Sequence, residues 1–278
     1  MEICCSRLSR MHASERGVIF AMVSLLILGP MLSATSAAQP DIEARTVQYR
    51  QGDQVLDGYL AYDKAKQGMR PGIVVFHEWW GVNDYIKMRA KQFAEMGYVA
   101  FAPDMFGGGK VAATVDEATK LIQPYVSDRQ LMRARARAGL DELLKQPDVD
   151  STRIAAVGFC FGGTSAIELA MTGADLKGLV TFHGGLSFPQ NEDAKSMKCA
   201  VLICQGGEDP FVPQDQLVHL WTLMKDAKLN YQINVYGGAV HGFTNPANGN
   251  DNSKGLAYNE RAAKRSWREM ENLFKEIF

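Results

Sequence analysis

The sequence predicts an α/β protein with a mainly parallel central sheet, an amino-terminal antiparallel hairpin and helices on both faces of the sheet. After residue 38, short apolar runs alternate with longer segments of helical periodicity. Most of these runs show little alternation between apolar and polar residues, which is typical of parallel strands covered on both faces. The first two runs do alternate, and Gly52-Asp53 separates them, which indicates a hairpin.

The hairpin strands are predicted at Thr46–Arg50 and Val55–Leu60. The buried strands that follow are Gly72–Phe76, Val99–Phe101, Ile154–Val157, Gly178–Phe182, Ala200–Ile203 and Tyr231–Tyr236. Helices are predicted at Asp84–Met96, Asp116–Tyr125, Asp128–Lys145, Thr164–Thr172, Pro213–Lys228 and Leu256–Phe278. These helical segments start near Asp, Thr or Pro, as helix starts tend to. Strands and helices that alternate in this way favour crossover connections between parallel strands.

The composition is that of an ordinary globular protein. The chain has 278 residues, a formal net charge of −1, 46% hydrophobic and 22% charged residues. The sequence contains no block of basic residues that would predict nucleic-acid binding. It contains no zinc-ligand spacing either, so we expect neither a metal nor a cofactor. We expect residues 39–278 to form a single domain, and the sequence leaves the oligomeric state open.

Residues 1–38 have the pattern of a secretory signal peptide. A basic leader precedes an apolar core at 18–28, and small residues follow at 33–38. The apolar core is short for a bilayer-spanning helix, which needs about 20 residues. We therefore expect cleavage after Ala38, export to a bacterial periplasm and no stable membrane insertion afterwards. An uncleaved amino-terminal membrane anchor is the alternative.

Cys160 lies between a predicted strand and a predicted helix, in the run Gly158-Phe-Cys-Phe-Gly162. A strand, a tight turn and a helix in this order form the nucleophile elbow of α/β-hydrolases, with cysteine here in place of serine. Glycines two residues on either side leave room for the close packing of such a turn. The alternative for this run alone is a buried structural cysteine.

Two further loops place an acid and a base at the same edge of the predicted sheet. Asp209 follows the strand Ala200–Ile203, and His241 follows the strand Tyr231–Tyr236. Because reactive groups collect beyond the carboxyl ends of parallel strands, we expect both to lie near Cys160. The chain order nucleophile, acid, base is that of the α/β-hydrolase triad. The alternative for His241 alone is an ordinary loop histidine, and the alternative for Asp209 alone is a residue that forms a turn.

A fourth loop follows the strand that ends at Phe76. In α/β-hydrolases this loop and the residue after the nucleophile each supply one backbone N–H group to the oxyanion hole. The expected donors here are Trp79 and Phe161.

Together these pieces resemble the dienelactone hydrolase family, whose members are similar to carboxymethylenebutenolidase. The matching segments are Phe76–Asn83, Ala102–Asp104, Gly158–Gly163, Gly206–Pro213 and Val240–Phe243. The resemblance implies a hydrolase that cleaves an ester or lactone through a triad of Cys160, His241 and Asp209 and a thioester intermediate. It also implies that Glu78 contacts the nucleophile and helps to form the reactive thiolate. A salt bridge to an arginine is the alternative for Glu78.

The chain departs from the family where the substrate carboxylate would be held. Members that cleave dienelactone have an arginine shortly after the catalytic histidine, and this chain has Asn245 there. A second family arginine has no clear counterpart in Met105–Lys110. Because asparagine and lysine do not replace a bidentate arginine, a neutral ester, another lactone or a thioester is an equal expectation. Trp80 and Asn245 are expected at the substrate pocket.

Two hypotheses from other functional classes, a thiol-redox protein and a binding module, remain. An exported thiol-redox protein would use Cys160 with a resolving cysteine, but Cys199 and Cys204 are expected to be buried. A binding module that retains the fold would not need the catalytic set. Trp221 and Trp267 fall on predicted helices and are expected in the core.

Overall fold

The computed structural model describes residues 39–186 and 192–278. Within these residues eight strands form one sheet. They are β1 (Ile42–Gln51), β2 (Gln54–Asp63), β3 (Arg70–Phe76), β4 (Val99–Ala102), β5 (Val149–Phe159), β6 (Gly178–Phe182), β7 (Ala200–Gly206) and β8 (Tyr231–Tyr236).

Six α-helices connect or flank these strands. They are α1 (Asp84–Glu95), α2 (Val115–Ser127), α3 (Arg129–Leu144), α4 (Phe161–Met171), α5 (Gln214–Asp226) and α6 (Glu260–Ile277). Short 3-10 helices occupy Glu192–Ser196, Pro246–Asn248 and Asn252–Lys254.

The strand order is β1-β2-β4-β3-β5-β6-β7-β8. β1 pairs with β2, and β2 with β4, in antiparallel fashion, whereas the strands from β4 to β8 in this order are parallel. The predicted fold class is therefore confirmed. The parallel arrangement brings the carboxyl ends of β3, β5, β7 and β8 to one edge, where the loops that follow them lie side by side.

Each face of the sheet carries its own apolar core. Ile73 and Val75 of β3 lie in the core that includes buried residues of α1 and α6. Val74 and Phe76 lie in the core that includes buried residues of α2, α3, α4 and α5. Because successive side chains of a strand point to opposite faces, both sets are apolar and β3 lacks the alternation of an exposed strand.

Helix boundaries differ from the predicted ones at two places near the site. α4 begins at Phe161 instead of Thr164, because the chain turns into the helix directly after Cys160. α6 begins at Glu260 instead of Leu256. Leu256 instead forms a bridge with His241, and the Asn259 side chain caps the helix by accepting from the Ala262 N–H group.

Residues Gln39–Phe278 form a compact unit. The predicted signal peptide lies outside the described residues, so it stays a prediction together with the division of the chain at residue 38. In the described ranges, no helix combines the length and the apolar character that a membrane crossing requires.

The prediction for Trp221 was wrong, since 44% of this residue is exposed. α5 buries Leu220, Leu223 and Met224, and Trp221 lies outside that stripe, where its indole N–H donates to the Tyr231 hydroxyl. Trp267, which was also predicted in the core, is half-buried and packs against Phe93 at the edge of the core.

Candidate active site

Cys160 is held in a strained turn between β5 and α4. Its φ of 54° and ψ of −120° fall outside the regions that residues with a side chain ordinarily adopt. Its backbone N–H donates to the Phe182 carbonyl at 3.0 Å. A methyl group on Gly158 would collide with the Gly162 carbonyl, and one on Gly162 would collide with the Phe76 carbonyl. The two glycines therefore allow the close approach of strand and helix that holds Cys160 in this conformation.

His241 faces Cys160 from the loop after β8. Its Nε2 lies 3.1 Å from the Cys160 Sγ, within hydrogen-bonding distance for sulfur. The His241 backbone is fixed on both sides, since its N–H donates to the Gly255 carbonyl and its carbonyl accepts from the Ala257 N–H. His241 is buried, and Cys160 is partly exposed. A small molecule can therefore reach the sulfur while the imidazole remains largely shielded from water.

Asp209 binds the opposite side of the imidazole. Its Oδ2 lies 2.8 Å from the His241 Nδ1. The same oxygen accepts from the Gln205 Nε2 at 2.7 Å, and Oδ1 accepts from the Phe211 N–H at 2.9 Å. With three donors at fixed positions, the carboxylate orients the imidazole so that Nε2 points to Cys160.

The charge arrangement favours a protonated imidazole. Burial alone would lower the pKa of His241, but the negative charges of Cys160 and Asp209 outweigh it and raise this pKa to about 10. The rise depends on a thiolate at Cys160. A negative charge at the Cys160 sulfur would therefore keep the imidazole beside it protonated at neutral pH, and a thiolate is the form in which a cysteine acts as a nucleophile.

The backbone N–H groups of Trp79 and Phe161 lie at the ends of neighbouring strands. β3 and β5 are paired in register up to Phe76 and Gly158, so the loops that follow leave the sheet side by side. Neither N–H group donates to an acceptor in residues 39–186 or 192–278. Phe161 is also the first residue of α4, where backbone N–H groups are unpaired and the helix dipole favours negative charge.

Glu78 is buried beside this group of residues. Its Oε2 accepts from the Asn245 Nδ2 at 2.9 Å. Burial raises the pKa of Glu78 to about 7, although Asn245, His241 and Arg89 each favour the charged form. Among the described residues, Glu78 forms neither an ion pair with an arginine nor a hydrogen bond with Cys160. The only described hydrogen-bond partner of its side chain is thus the residue that stands in place of the family arginine.

Asn245 was expected at the substrate pocket. In the structure, both ends of its side-chain amide are hydrogen-bonded to groups of the protein. It is 4% exposed, its Nδ2 binds Glu78, and its Oδ1 accepts from the Ala247 N–H. Its direct contact is therefore with Glu78.

The structure also places aromatic side chains around the site. Trp79 and Trp80 are half-buried and meet edge to face, with ring centroids 5.1 Å apart. Phe211, which sequence reasoning missed, is 60% exposed and stands edge-on to the His241 ring at 5.4 Å. It follows Asp209 by two residues, so its place in the same loop was the signal that could have found it.

Two buried histidines near the site were also missed. His183 directly follows β6 and has a φ of 42°, and its ring lies 5.3 Å from that of His241. Its Nε2 lies 2.8 Å from the Thr244 Oγ1, and burial holds its pKa well below the usual range. His77 directly follows β3 and contacts the Glu78 carbonyl. Both follow a parallel strand directly, and this position is the signal they shared with Cys160.

The comparisons with known proteins identify the family of this chain. The family model of the dienelactone hydrolase family matches residues 56–278. The chain belongs to the dienelactone hydrolase family. It is therefore a hydrolase with the α/β-hydrolase fold, as the resemblance implied, and a small-molecule substrate is implied with it.

Individual relatives cover most of the chain. "Protein usf" of Aquifex pyrophilus is 31% identical over 206 residues, which are 72% of this chain and 86% of that protein. A solved dienelactone hydrolase-like promiscuous phosphotriesterase from metagenomic libraries is 43% identical, with a TM-score of 0.82. That match covers 85% of this chain and 99% of the other. A second solved structure, named m3DLH, is 40% identical with the same TM-score and the same coverage.

Proposed function

We propose that this protein hydrolyses carboxylic esters or lactones through a covalent thioester on Cys160. The observation that carries the proposal is the continuous contact from the Cys160 Sγ to His241 Nε2 at 3.1 Å and from His241 Nδ1 to Asp209 at 2.8 Å. In this proposal Cys160 is the nucleophile, His241 the proton carrier and Asp209 the group that orients and charges the imidazole.

The first half of the reaction forms the thioester. The Cys160 thiolate attacks the carbonyl carbon, and the carbonyl electrons move to the oxygen, which accepts from the Trp79 and Phe161 N–H groups. When the oxyanion collapses, the bond to the alkoxy oxygen breaks and His241 gives its proton to that oxygen. An ester releases an alcohol at this step, whereas a lactone keeps the new hydroxyl group on the acyl chain.

The second half restores the enzyme. His241, now neutral, takes a proton from water as the water oxygen attacks the thioester carbon. Collapse of the second oxyanion breaks the carbon–sulfur bond and releases the carboxylic acid and the thiolate. Glu78 enters this proposal as a neighbour that gains or loses a proton near neutral pH, since its pKa is about 7.

We favour substrates without a free carboxylate. Asn245, which stands where an arginine is expected, is neutral and already donates to Glu78. Phe211 and the two tryptophans near the site present apolar surface. Carboxylesterase or thioesterase activity on neutral acyl groups fits these residues better than cleavage of a dienelactone. We further propose that the protein is exported, on the pattern of residues 1–38.

The other cysteines favour a hydrolase over a thiol-redox protein. Cys199 and Cys204 are buried and free, as predicted. Burial raises the pKa of Cys199 to about 11 and that of Cys204 to about 12. Thiols with such values remain protonated at neutral pH and attack a disulfide poorly, so neither serves as a resolving cysteine.

A direct test is the hydrolysis of p-nitrophenyl acetate, followed by intact-protein mass spectrometry. We expect an acetyl adduct on Cys160 in the wild type and a loss of turnover of about 10³-fold or more in Cys160→Ala. Cys199→Ala is the matched control and should keep its activity. Wild-type turnover in Cys160→Ala, or an adduct on another residue, would overturn the proposal.

A second activity is favoured by the 43% identity to the promiscuous phosphotriesterase. An aryl dialkyl phosphate would be attacked at phosphorus by Cys160, with the aryl oxide leaving and the phosphoryl oxygen held by the same two N–H groups. Release of p-nitrophenol from diethyl p-nitrophenyl phosphate, lost in Cys160→Ala, is the expected result. No Cys160-dependent release would exclude this activity.

A further inference from the structure

His77 is a buried polar residue that has no part in the proposed triad. It is 0% exposed, and its ring packs against those of Phe106 at 4.8 Å and Phe161 at 6.2 Å, which also contact each other. We propose that His77 is a positioning residue that fixes the peptide between Glu78 and Trp79, so that the Trp79 N–H group faces the oxygen of the reacting carbonyl. This inference rests on the proposed function.

The contacts of His77 determine its tautomer. Its Nε2 lies 3.3 Å from the Met105 backbone nitrogen, which can only donate. Nε2 is therefore the unprotonated nitrogen, and Nδ1 carries the hydrogen. Nδ1 lies 2.5 Å from the Glu78 carbonyl oxygen, so it donates to that oxygen. Burial also lowers the pKa of His77, which keeps the ring neutral and preserves one donor and one acceptor.

Holding this carbonyl also sets the direction of the next N–H group. A peptide unit is planar, and in the trans form its C=O and N–H groups point to opposite sides. The described residues contain no cis peptide bond. When Nδ1 holds the Glu78 carbonyl on one side, the Trp79 N–H must therefore point to the other side, where no described group accepts from it.

The other end of His77 is anchored to a rigid loop. Asp104 is fully buried and accepts from the backbone N–H groups of Phe106, Gly107, Gly109 and Asp57. The Arg135 Nη1 donates to the Met105 carbonyl at 3.2 Å. Met105 is thus held by its neighbours, and His77 transmits that fixed position to the Glu78–Trp79 peptide.

The importance of this peptide follows from the chemistry. Oxyanion donors act mainly in the transition state, and loss of one typically costs about 10²–10³ in kcat. A donor that can rotate away is lost for part of the time. Removal of the His77 contact should therefore lower kcat and leave KM nearly unchanged.

The test compares three variants of the full chain with p-nitrophenyl acetate. His77→Phe keeps an aromatic ring against Phe106 and Phe161 but removes both polar contacts. His77→Asn keeps a donor near the position of Nδ1, whereas His77→Gln keeps a polar group near Nε2 and loses the donor to Glu78. We expect kcat to fall about 100-fold in His77→Phe and in His77→Gln, and His77→Asn to recover at least about tenfold.

Two further measurements separate a positioning role from a general structural one. An alkyl trifluoromethyl ketone forms a tetrahedral adduct with a thiolate and carries an oxyanion, so its affinity should fall by the same factor as kcat. Alkylation of Cys160 by iodoacetamide needs no oxyanion hole, so its rate should change by less than about threefold. His219→Phe, at an exposed position of α5, is the matched control and should behave as the wild type.

The outcomes are distinct from those that test the proposed function. If the wild type forms no acyl adduct on Cys160, the proposed function itself fails. If the wild type forms the adduct and His77→Phe retains kcat within about threefold, the positioning role is wrong. It is also wrong if alkylation falls together with kcat, or if ketone affinity is unchanged. Should His77→Phe not fold, equal kcat values in His77→Asn and His77→Gln would refute the role.

Discussion

Replacement of Glu78 by glutamine should remove a pH dependence from the stability of the protein. Glu78 is 5% exposed, and burial raises its pKa from 4.5 to about 7 although Asn245, His241 and Arg89 favour its ionised form. The folded state therefore keeps a proton that the unfolded chain releases. Between about pH 4.5 and about pH 7, the free energy of unfolding should fall as pH rises, because the folded protein must then bury a charge.

The magnitude follows from the difference between the two pKa values. One pKa unit corresponds to 1.36 kcal/mol, so the difference corresponds to about 3 kcal/mol. Glutamine has nearly the same shape and keeps an oxygen that can accept from the Asn245 Nδ2. Glu78→Gln should thus match the wild type near pH 4.5 and exceed its free energy of unfolding by about 3 kcal/mol near pH 8.

Urea denaturation at about pH 4.5, 6 and 8, followed by far-UV circular dichroism, measures this difference. Subtraction of the wild-type curve removes the contributions of titrating groups that both proteins share. Glu95→Gln, at an exposed position of α1, is the matched control and should follow the wild type. If the difference between Glu78→Gln and the wild type is the same at all three pH values, the reasoning about burial is refuted.

Three further predictions concern single residues. Asp209→Asn should lower kcat for p-nitrophenyl acetate by about 10³–10⁴-fold, because an amide no longer holds the required imidazole tautomer. A loss of kcat below about tenfold would contradict this role of Asp209. Gly162→Ala should lower the free energy of unfolding by about 1–3 kcal/mol, because the added methyl group would collide with the Phe76 carbonyl. An unchanged melting temperature would contradict this prediction. Phe211→Ala should lower kcat/KM for p-nitrophenyl butyrate about tenfold and leave the acetate ester within about threefold, because a longer acyl group can contact more of this exposed ring beside His241. Equal losses on both esters would contradict this placement.

Much of the fold was readable from local patterns. The apolar runs predicted the parallel strands, since strands covered on both faces leave no polar positions. The boundaries were less accurate where contacts from elsewhere decide them. α6 begins at Glu260 because Leu256 pairs with His241 and Asn259 caps the helix, and both facts involve packing between loops.

The exposure of Trp221 is a similar case. Its position on a helix was predicted, but the core prediction failed. The sequence marks an aromatic residue at helical spacing, and only the packing of α5 against the sheet shows which stripe of that helix is covered.

The order of strands and loops along the chain is sufficient to predict which chemical groups gather at one edge of the sheet. The carboxyl ends of parallel strands meet there, so the loops that carry Cys160, Asp209 and His241 had to lie close together. Which of these groups bind one another could be read only from the folded chain. Asn245 and Glu78 lie 167 positions apart, and His77 and Met105 lie 28 apart. Such partners depend on how separate loops pack in three dimensions, and a hydrogen bond forms only when that packing brings its two atoms within about 3 Å.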